Sequence, residues 1–147
     1  MTPASRARFI QLAMEQLGKP VLWAQRGPSS FDCSGLVGYA LELAGLSPTI
    51  RYSHNAQMMA NECGESEPKP GDLCFYGLGP ANIEHVAIYL EGGKALSADG
   101  ATSHITRLDM AMANPANRVR LHDSWTFRRD LPFSIVLRNS YVTPFFP

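Results

Sequence analysis

Cysteine and histidine are the side chains of this sequence whose type and placement could support nucleophilic chemistry. Cys33 stands in FDCSGLVGYALELAG, residues 31–45, where apolar residues at helical spacing follow it. It is therefore expected in the first turn of a helix, where unpaired backbone N–H groups and the helix dipole favour a thiolate and lower a cysteine pKa. Ser34 and Gly35 are small, so a substrate could approach the sulfur closely. The segment predicts a nucleophile, although a lone cysteine is more often a small buried residue.

A thiolate nucleophile needs a base, and His85 is the best placed of the four histidines. It opens the segment HVAIYL, whose alternation puts His85, Ala87 and Tyr89 on one face of a strand. We expect this face to be the more open one, with the small alanine leaving room beside an imidazole. Of the other three, His54 is predicted to lie on a helix surface and His104 in a loop that could approach the site. His122 is predicted to be solvated.

An imidazole base also needs an orienting group, and the strand after His85 offers Ser97 and Asp99. The two glycines between the strands allow a turn of either two or three residues. A three-residue turn pairs Leu90 with Lys94. This register places Asp99 opposite His85, with Ser97 diagonal to it on the same face. A two-residue turn would direct both candidates away from the imidazole.

The surrounding sequence predicts helices in the first half of the chain and strands in the second. Apolar residues recur with helical spacing up to a proline- and glycine-rich break, after which short segments rich in apolar and β-branched residues alternate with glycines. The order indicates an α+β fold with N-terminal helices packed on a central antiparallel sheet. The predicted elements are helices over 4–17, from Cys33 to Gly45 and over 53–61 with Ser53 as N-cap, the strands LCFYG, EHVAIYL, KALSAD and SIVLRN, and one helical turn before Pro115.

Composition restricts the class of protein. The 147 residues suit one domain over 1–147, and 13 basic residues balance 13 acidic ones, which gives no electrostatic case for nucleic acid. The N-terminus lacks an apolar export core, and no apolar run approaches the roughly 20 residues that span a bilayer, so neither a signal peptide nor membrane insertion is expected. Cys33, Cys63 and Cys74 match neither a disulfide scaffold nor a zinc site, so we expect no metal and no cofactor, with Cys74 buried in a strand.

Taken together, these segments resemble the NlpC-type family of cell-wall cysteine endopeptidases. The resemblance covers residues 18–100 and rests on FDCSGLV around the cysteine, PGDLCFYG as the strand leading in, EHVAIYLEGGKAL as the histidine hairpin and PVLWAQRGPSS upstream. It implies a papain-like fold and hydrolysis of peptide bonds in peptidoglycan stem peptides, usually beside a D-glutamyl residue. By this resemblance Cys33 is the nucleophile and His85 the base.

Two positions depart from the family pattern. The third catalytic position, usually the histidine of a His-Ala pair, falls on Ser97. Val21 stands where the family often has a tyrosine two residues before Trp23, so the oxyanion would depend on backbone N–H groups at the start of the helix. The resemblance also implies that Asp32, Ser34 and Trp23 bind substrate, the first two by holding the free amine of the stem peptide. A core position is the alternative for the tryptophan.

Three functions remain open for such a chain. The first is hydrolysis of stem peptides at the bacterial cell wall through a Cys-His thiolate mechanism. The departures, and the tail RVRLHDSWTFRRDLP, resemble phage-encoded members, so we expect a protein that stays in the cytoplasm until release or is carried on a virion, with phage tail or other virion proteins as partners. Arg128-Arg129 in this tail is predicted to be a solvated edge. The second function is a catalytically weakened binding or structural module, and the third is acyl transfer to an amine or lipid.

Overall fold

Helices form the first part of the chain and a five-stranded sheet the second, in a computed structural model that describes residues 4–47, 49–100 and 107–142. The elements are α1 (Ala4–Met14), α2 (Cys33–Leu43), α3 (Ile50–Ser53), α4 (Ala56–Glu62), β1 (Leu73–Gly79), β2 (Asn82–Leu90), β3 (Lys94–Ala98), α5 (Leu108–Met112), β4 (Val119–His122) and β5 (Phe133–Leu137). The sheet order is β4-β3-β2-β1-β5, with every neighbouring pair antiparallel. The predicted α+β class, with N-terminal helices on an antiparallel sheet, is confirmed.

The main core lies between the helices and one face of the sheet. The buried stripe of α2 meets apolar residues of β1, β2 and β3, and each fully buried large apolar side chain contributes roughly 1.5–3 kcal/mol. Gly38 lets α3 approach α2, since a Cβ there would lie 2.5 Å from the Cα of Arg51. These contacts hold α2, and with it Cys33, in a defined position against the sheet. The stripe of α2 consists of Leu36, Val37, Ala40 and Leu41.

The opposite face of the sheet is covered by residues 123–132, which we call the covering loop. Its Trp125 and Phe127 pack in a second, smaller apolar cluster around Tyr76 of β1. The Tyr76 hydroxyl donates to the carbonyl of Trp125 at 2.7 Å, and the Trp125 N–H donates to the turn between β2 and β3 at 2.7 Å. The prediction that the His85 face is the more open one was wrong, because this loop lies over it.

A three-residue turn, Glu91–Gly93, joins β2 to β3 and pairs Leu90 with Lys94, which confirms the three-residue alternative. Its two glycines have φ of 77° and 75°, a region that glycine adopts without steric cost. The strand pairing extends from this turn only to Ile88 and Leu96. The candidate site residues of both strands lie beyond the last pair.

Other local predictions divide between confirmed and wrong. All four predicted strands are present, α5 precedes Pro115, and Cys74 is fully buried in β1. The predicted third helix is in fact two helices, and Asn55 rather than Ser53 caps the second by accepting from the Met58 N–H at 2.9 Å. Strand β4 was not predicted, because its four residues are too short a pattern. The single-domain prediction stays a prediction. No helix in the described ranges has the length and apolarity to cross a membrane.

Candidate active site at the start of α2

Cys33 is the first residue of α2 and is half-buried. Asp32 is the N-cap of the helix, and its Oδ1 accepts from the Gly35 N–H at 2.6 Å. This cap satisfies one of the unpaired donors of the first turn and fixes where the helix begins. On the sheet side, the backbone N–H of Val86 interacts with the Cys33 sulfur. The thiol therefore lies against β2 at the residue that directly follows His85.

The surroundings of Cys33 favour the neutral thiol. Burial, followed by the Asp32 carboxylate, raises the pKa of Cys33 to about 11, although the N–H groups of Val86 and Ser34 act in the opposite direction. The predicted lowering of this pKa was wrong, because loss of water around the sulfur outweighs the backbone donors at the helix start. A base must therefore take the proton if the sulfur is to attack a substrate.

The small residues after Cys33 serve packing. The Ser34 side chain is buried, with its hydroxyl 3.4 Å from the Asp32 carboxylate, whose pKa is raised by burial. A Cβ at Gly35 would lie 2.2 Å from the carbonyl oxygen of Gln25, so this position excludes any side chain. Close packing of the preceding loop, rather than the predicted open access, thus accounts for their size. Substrate binding by Asp32, Ser34 and Trp23 stays a prediction, and the tryptophan is 51% exposed and outside the core.

His85 is hydrogen-bonded to Ser97. The side chains lie on β2 and β3, both buried, and His85 Nε2 is 2.6 Å from Ser97 Oγ. This confirms the predicted placement of Ser97 diagonal to His85 on the same face. When Nε2 carries the proton, the hydroxyl accepts it and Nδ1 keeps a lone pair. No residue in the described parts of the chain makes a hydrogen bond to that Nδ1.

The imidazole of His85 lies in apolar and cationic surroundings. Its ring centroid is 5.6 Å from that of Tyr76 and 6.2 Å from that of Phe127. Burial, followed by the charges of Arg128 and His122, lowers the pKa of His85 to about 3. At neutral pH the ring is therefore uncharged and keeps a free lone pair, although a pKa this far below 7 makes it a weak base.

Asp99, the alternative orienting group, binds a different histidine. Its Oδ2 lies 2.6 Å from Nε2 of His122 and 4.0 Å from Nη1 of Arg120. The His122 ring stacks on Phe127 with a centroid separation of 3.7 Å. The prediction that His122 is solvated was wrong, and the structure brings Ser97 rather than Asp99 to His85. The sequence carries no signal for this pairing, since β4 itself was not predicted.

Arg128 on the covering loop is a further site residue that the sequence did not indicate. Its side chain is 29% exposed, and Nε and Nη2 donate to the Asp130 carboxylate at 2.9 and 2.8 Å. Its charge is one of the influences that lower the pKa of the His85 imidazole. The prediction of a solvated edge therefore holds for the exposed Arg129 and was wrong for Arg128.

The remaining histidines do not take part in this arrangement. His54 caps the C-terminal end of α3 rather than standing on a helix surface, and its Nε2 lies 2.8 Å from Oε1 of Glu62. His104 lies outside the described residues. Two surface hollows, of about 410 and 280 Å³, border β5 and are lined by neither Cys33 nor His85. The described ranges hold no group of three metal-ligating side chains.

Comparison with known proteins identifies a family. Residues 18–123 match the model of the NlpC/P60 family. The chain is 43% identical over 100 residues to the probable endopeptidase p60 of Listeria grayi, an alignment that covers 65% of this chain and 19% of p60. It is 37% identical over 111 residues to the peptidoglycan endopeptidase RipB of Mycobacterium tuberculosis, covering 66% of this chain and 44% of RipB. The chain thus spans less than half the length of these curated relatives.

Solved structures share the fold. The peptidoglycan hydrolase RipB from Mycobacterium tuberculosis superposes with a TM-score of 0.59 at 26% identity, over 91% of this chain and 63% of that chain. RipD from the same organism, described as a non-catalytic NlpC/p60 domain protein adapted to peptidoglycan binding, superposes with a TM-score of 0.64 at 23% identity, over 94% of this chain and 98% of that chain. The papain-like fold expected from the sequence is confirmed by these neighbours.

Proposed function

The chain belongs to the NlpC/P60 family, and we propose that it is a cysteine endopeptidase that hydrolyses peptide bonds in peptidoglycan stem peptides at the bacterial cell wall. The observation that carries this proposal is the 2.6 Å contact between Nε2 of His85 and Oγ of Ser97. The next residue of β2, Val86, interacts through its N–H with the Cys33 sulfur. A cysteine at a helix start, a neutral imidazole and an orienting hydroxyl are the parts that nucleophilic catalysis needs. The names of the relatives, an endopeptidase and a peptidoglycan hydrolase, support the substrate class.

In the proposed reaction, Nδ1 of His85 takes the proton of Cys33 as the sulfur attacks the scissile carbonyl carbon. A C–S bond forms, and backbone N–H groups at the start of α2 stabilise the oxyanion. Collapse of this intermediate breaks the C–N bond, and the imidazolium gives its proton to the leaving amine. Water then adds to the thioester while Nδ1 takes its proton, and the C–S bond breaks to release the acid and restore the thiol.

Ser97 acts in this scheme as a positioning residue. By accepting the Nε2 proton it holds the imidazole in the tautomer that presents a lone pair at Nδ1. A hydroxyl is uncharged, so it stabilises the imidazolium that forms during attack less than a carboxylate does. We therefore expect Ser97 to orient the base correctly but to contribute only a modest acceleration of the reaction.

A non-catalytic binding module is the second candidate function. The observation that favours it is the pair of pKa values, about 11 for Cys33 and about 3 for His85, which keeps both reacting groups neutral. The structural similarity to RipD, described as a non-catalytic peptidoglycan-binding protein, also supports it. Such a module would bind stem peptides through the same surface without forming a thioester.

Turnover of a purified stem peptide by the wild type and by Cys33→Ala separates these functions. For the peptidase we expect cleavage by the wild type, loss of cleavage by at least about a thousandfold in the variant, and peptide binding by both. Iodoacetamide should abolish the wild-type activity. Equal rates for the two proteins would remove Cys33 from the mechanism, and tight binding without cleavage would establish the binding module. Added amine acceptors would reveal acyl transfer as a new amide product.

A further inference from the structure

Phe127, on the covering loop, has the imidazole of the candidate base among its ring neighbours. Its ring is nearly perpendicular to that of His85, at an angle of 83° and 6.2 Å between centroids, and is inclined by 63° to that of Tyr76 at 5.3 Å. These are the angles and separations that aromatic pairs prefer. On another side, Phe127 stacks on His122 at 3.7 Å with an interplanar angle of 6°. Phe127 therefore links the imidazole of His85 to a second histidine.

The second histidine is fixed by the sheet. His122 is the last residue of β4, and its Nε2 lies 2.6 Å from Oδ2 of Asp99. Asp99 directly follows β3, and its backbone N–H donates to the carbonyl of Arg118 at 3.1 Å. A carboxylate only accepts, so Nε2 of His122 is the donor in this charge-assisted hydrogen bond. The ring on which Phe127 stacks is thus anchored where β3 and β4 meet.

The covering loop also holds the backbone beside Phe127. Two residues before it, the Trp125 N–H donates to the carbonyl of Gly93 at 2.7 Å. The Trp125 carbonyl accepts from the Tyr76 hydroxyl, also at 2.7 Å. These bonds tie the loop to β1 and to the turn between β2 and β3. Packing and hydrogen bonds of this kind are what hold a supporting side chain in one place beside a functional group.

One hydrogen bond leaves the orientation of the His85 imidazole incompletely defined. The contact with Ser97 fixes Nε2, but the ring can still tilt about that atom, and such a tilt displaces Nδ1. Neighbouring rings restrict this motion. Tyr76 lies 5.6 Å from the imidazole at an angle of 44° and is paired with His85 across β1 and β2, so the sheet itself places it. The contact from Phe127, in contrast, depends on the covering loop and on the ring stacked behind it.

We infer that Phe127 is a positioning residue for the candidate base, and that the bond between His122 and Asp99 holds it in place. This inference rests on the proposed function, in which Nδ1 of His85 takes the proton of Cys33. Because Phe127 acts through the imidazole, its loss should lower kcat and leave KM nearly unchanged. One aromatic pair corresponds to about 2- to 12-fold in the equilibrium between the oriented ring and other orientations.

Steady-state hydrolysis of a defined stem peptide tests this role. Phe127→Leu keeps an apolar side chain but removes the ring, so we expect kcat to fall by about 2- to 12-fold, with KM unchanged. Phe127→Tyr keeps the ring and should restore most of the lost kcat. Leu131→Ala is the matched control, since it removes an apolar side chain from the same loop and the same cluster, and it should leave kcat as in the wild type. A kcat for Phe127→Leu no lower than that for Leu131→Ala overturns the inference.

A second variant tests the support behind Phe127. His122→Gln can still donate to Asp99 but has no ring on which Phe127 could stack, so kcat should fall in the same direction as in Phe127→Leu. Combining the two substitutions should lower kcat by less than the product of their separate effects, because both act through one contact. A wild-type kcat in His122→Gln, or effects that multiply in the double variant, would show that His122 does not act through Phe127.

Histidine side-chain NMR separates failure of this inference from failure of the proposed function. In nitrogen-labelled Cys33→Ala protein, the ring nitrogen shifts distinguish the two neutral tautomers of His85, and His85→Gln identifies its signals. We expect the Nε2–H form, and adding Phe127→Leu should produce a second form or broaden the signal, whereas adding Leu131→Ala should not. If the wild type cleaves no stem peptide, the proposed function is wrong, while such a change still supports the positioning of the imidazole. An unchanged His85 signal in the Phe127→Leu background overturns the inference.

Discussion

Replacing Ser97 with alanine removes a hydroxyl that lies 2.6 Å from Nε2 of His85 and leaves the backbone of β3 in place. Ser97 is fully buried and His85 is 6% exposed, so water has little access to replace the lost acceptor. A buried N–H left without its partner costs about 1–3 kcal/mol. The same loss frees the imidazole to adopt the other tautomer, in which Nδ1 carries the proton and does not act as a base. At 1.4 kcal/mol per factor of ten, we expect kcat/KM to fall by about 5- to 150-fold.

The assay is hydrolysis of a defined stem peptide, with urea unfolding of each variant to separate stability from activity. Asp99→Asn is the matched control, since it changes the other predicted orienting group without changing its size. Because Asp99 binds His122 rather than His85, kcat/KM in this variant should stay within about threefold of the wild type. A Ser97→Ala protein that remains fully active, together with an Asp99→Asn protein that does not, would refute the assignment of the orienting residue.

Two further predictions concern stability, both read from urea unfolding. The pKa of His85 is lowered from 6.5 to about 3, so below pH 6.5 the unfolded chain binds a proton that the folded chain does not. The free energy of unfolding therefore has its full value from His85 above pH 6.5 and falls by about 1.4 kcal/mol per pH unit from there towards pH 3. His85→Gln should remove this pH dependence, and a variant with the same slope as the wild type would contradict the burial of the imidazole. Gly35→Ala should destabilise by about 1–3 kcal/mol, because its Cβ would lie 2.2 Å from the Gln25 carbonyl oxygen. Gly79→Ala, with open space around the new Cβ, should change stability by less than about 0.5 kcal/mol.

Much of the fold could be predicted because its main elements carry strong local patterns. The apolar spacing after Cys33 predicts α2 and its buried face, and the β-branched segments after the glycine- and proline-rich break predict β1, β2, β3 and β5. The errors fall where the local pattern is weak. Strand β4 has only four residues, and the helical segment near Asn55 offers two polar residues, either of which could serve as its cap.

The candidate site divides in the same way. Ser97 could be placed beside His85 from sequence, because the parity of a three-residue turn determines which residues share a face of the hairpin. His122, Phe127 and Arg128 could not, since they reach the site through an unpredicted strand and a loop without periodicity. Only the folded chain shows that this loop lies over the imidazole.

Burial explains why the protonation states differ from those expected for a cysteine at a helix start. The dipole and the free N–H groups of the first turn depend on the helix alone, whereas desolvation depends on everything packed around the sulfur and the imidazole. Here desolvation is the largest influence on both groups, raising the pKa of Cys33 and lowering that of His85. A preformed thiolate–imidazolium pair is therefore disfavoured, and proton transfer must accompany attack on the substrate.

Groups that stabilise negative charge at the sulfur or the oxyanion then become decisive. The Val86 N–H is one such group that the fold brings to Cys33 from outside its own helix. Because proton transfer accompanies attack, catalysis and simple peptide binding differ in this scaffold by how far such donors lower the energy of the attacking sulfur.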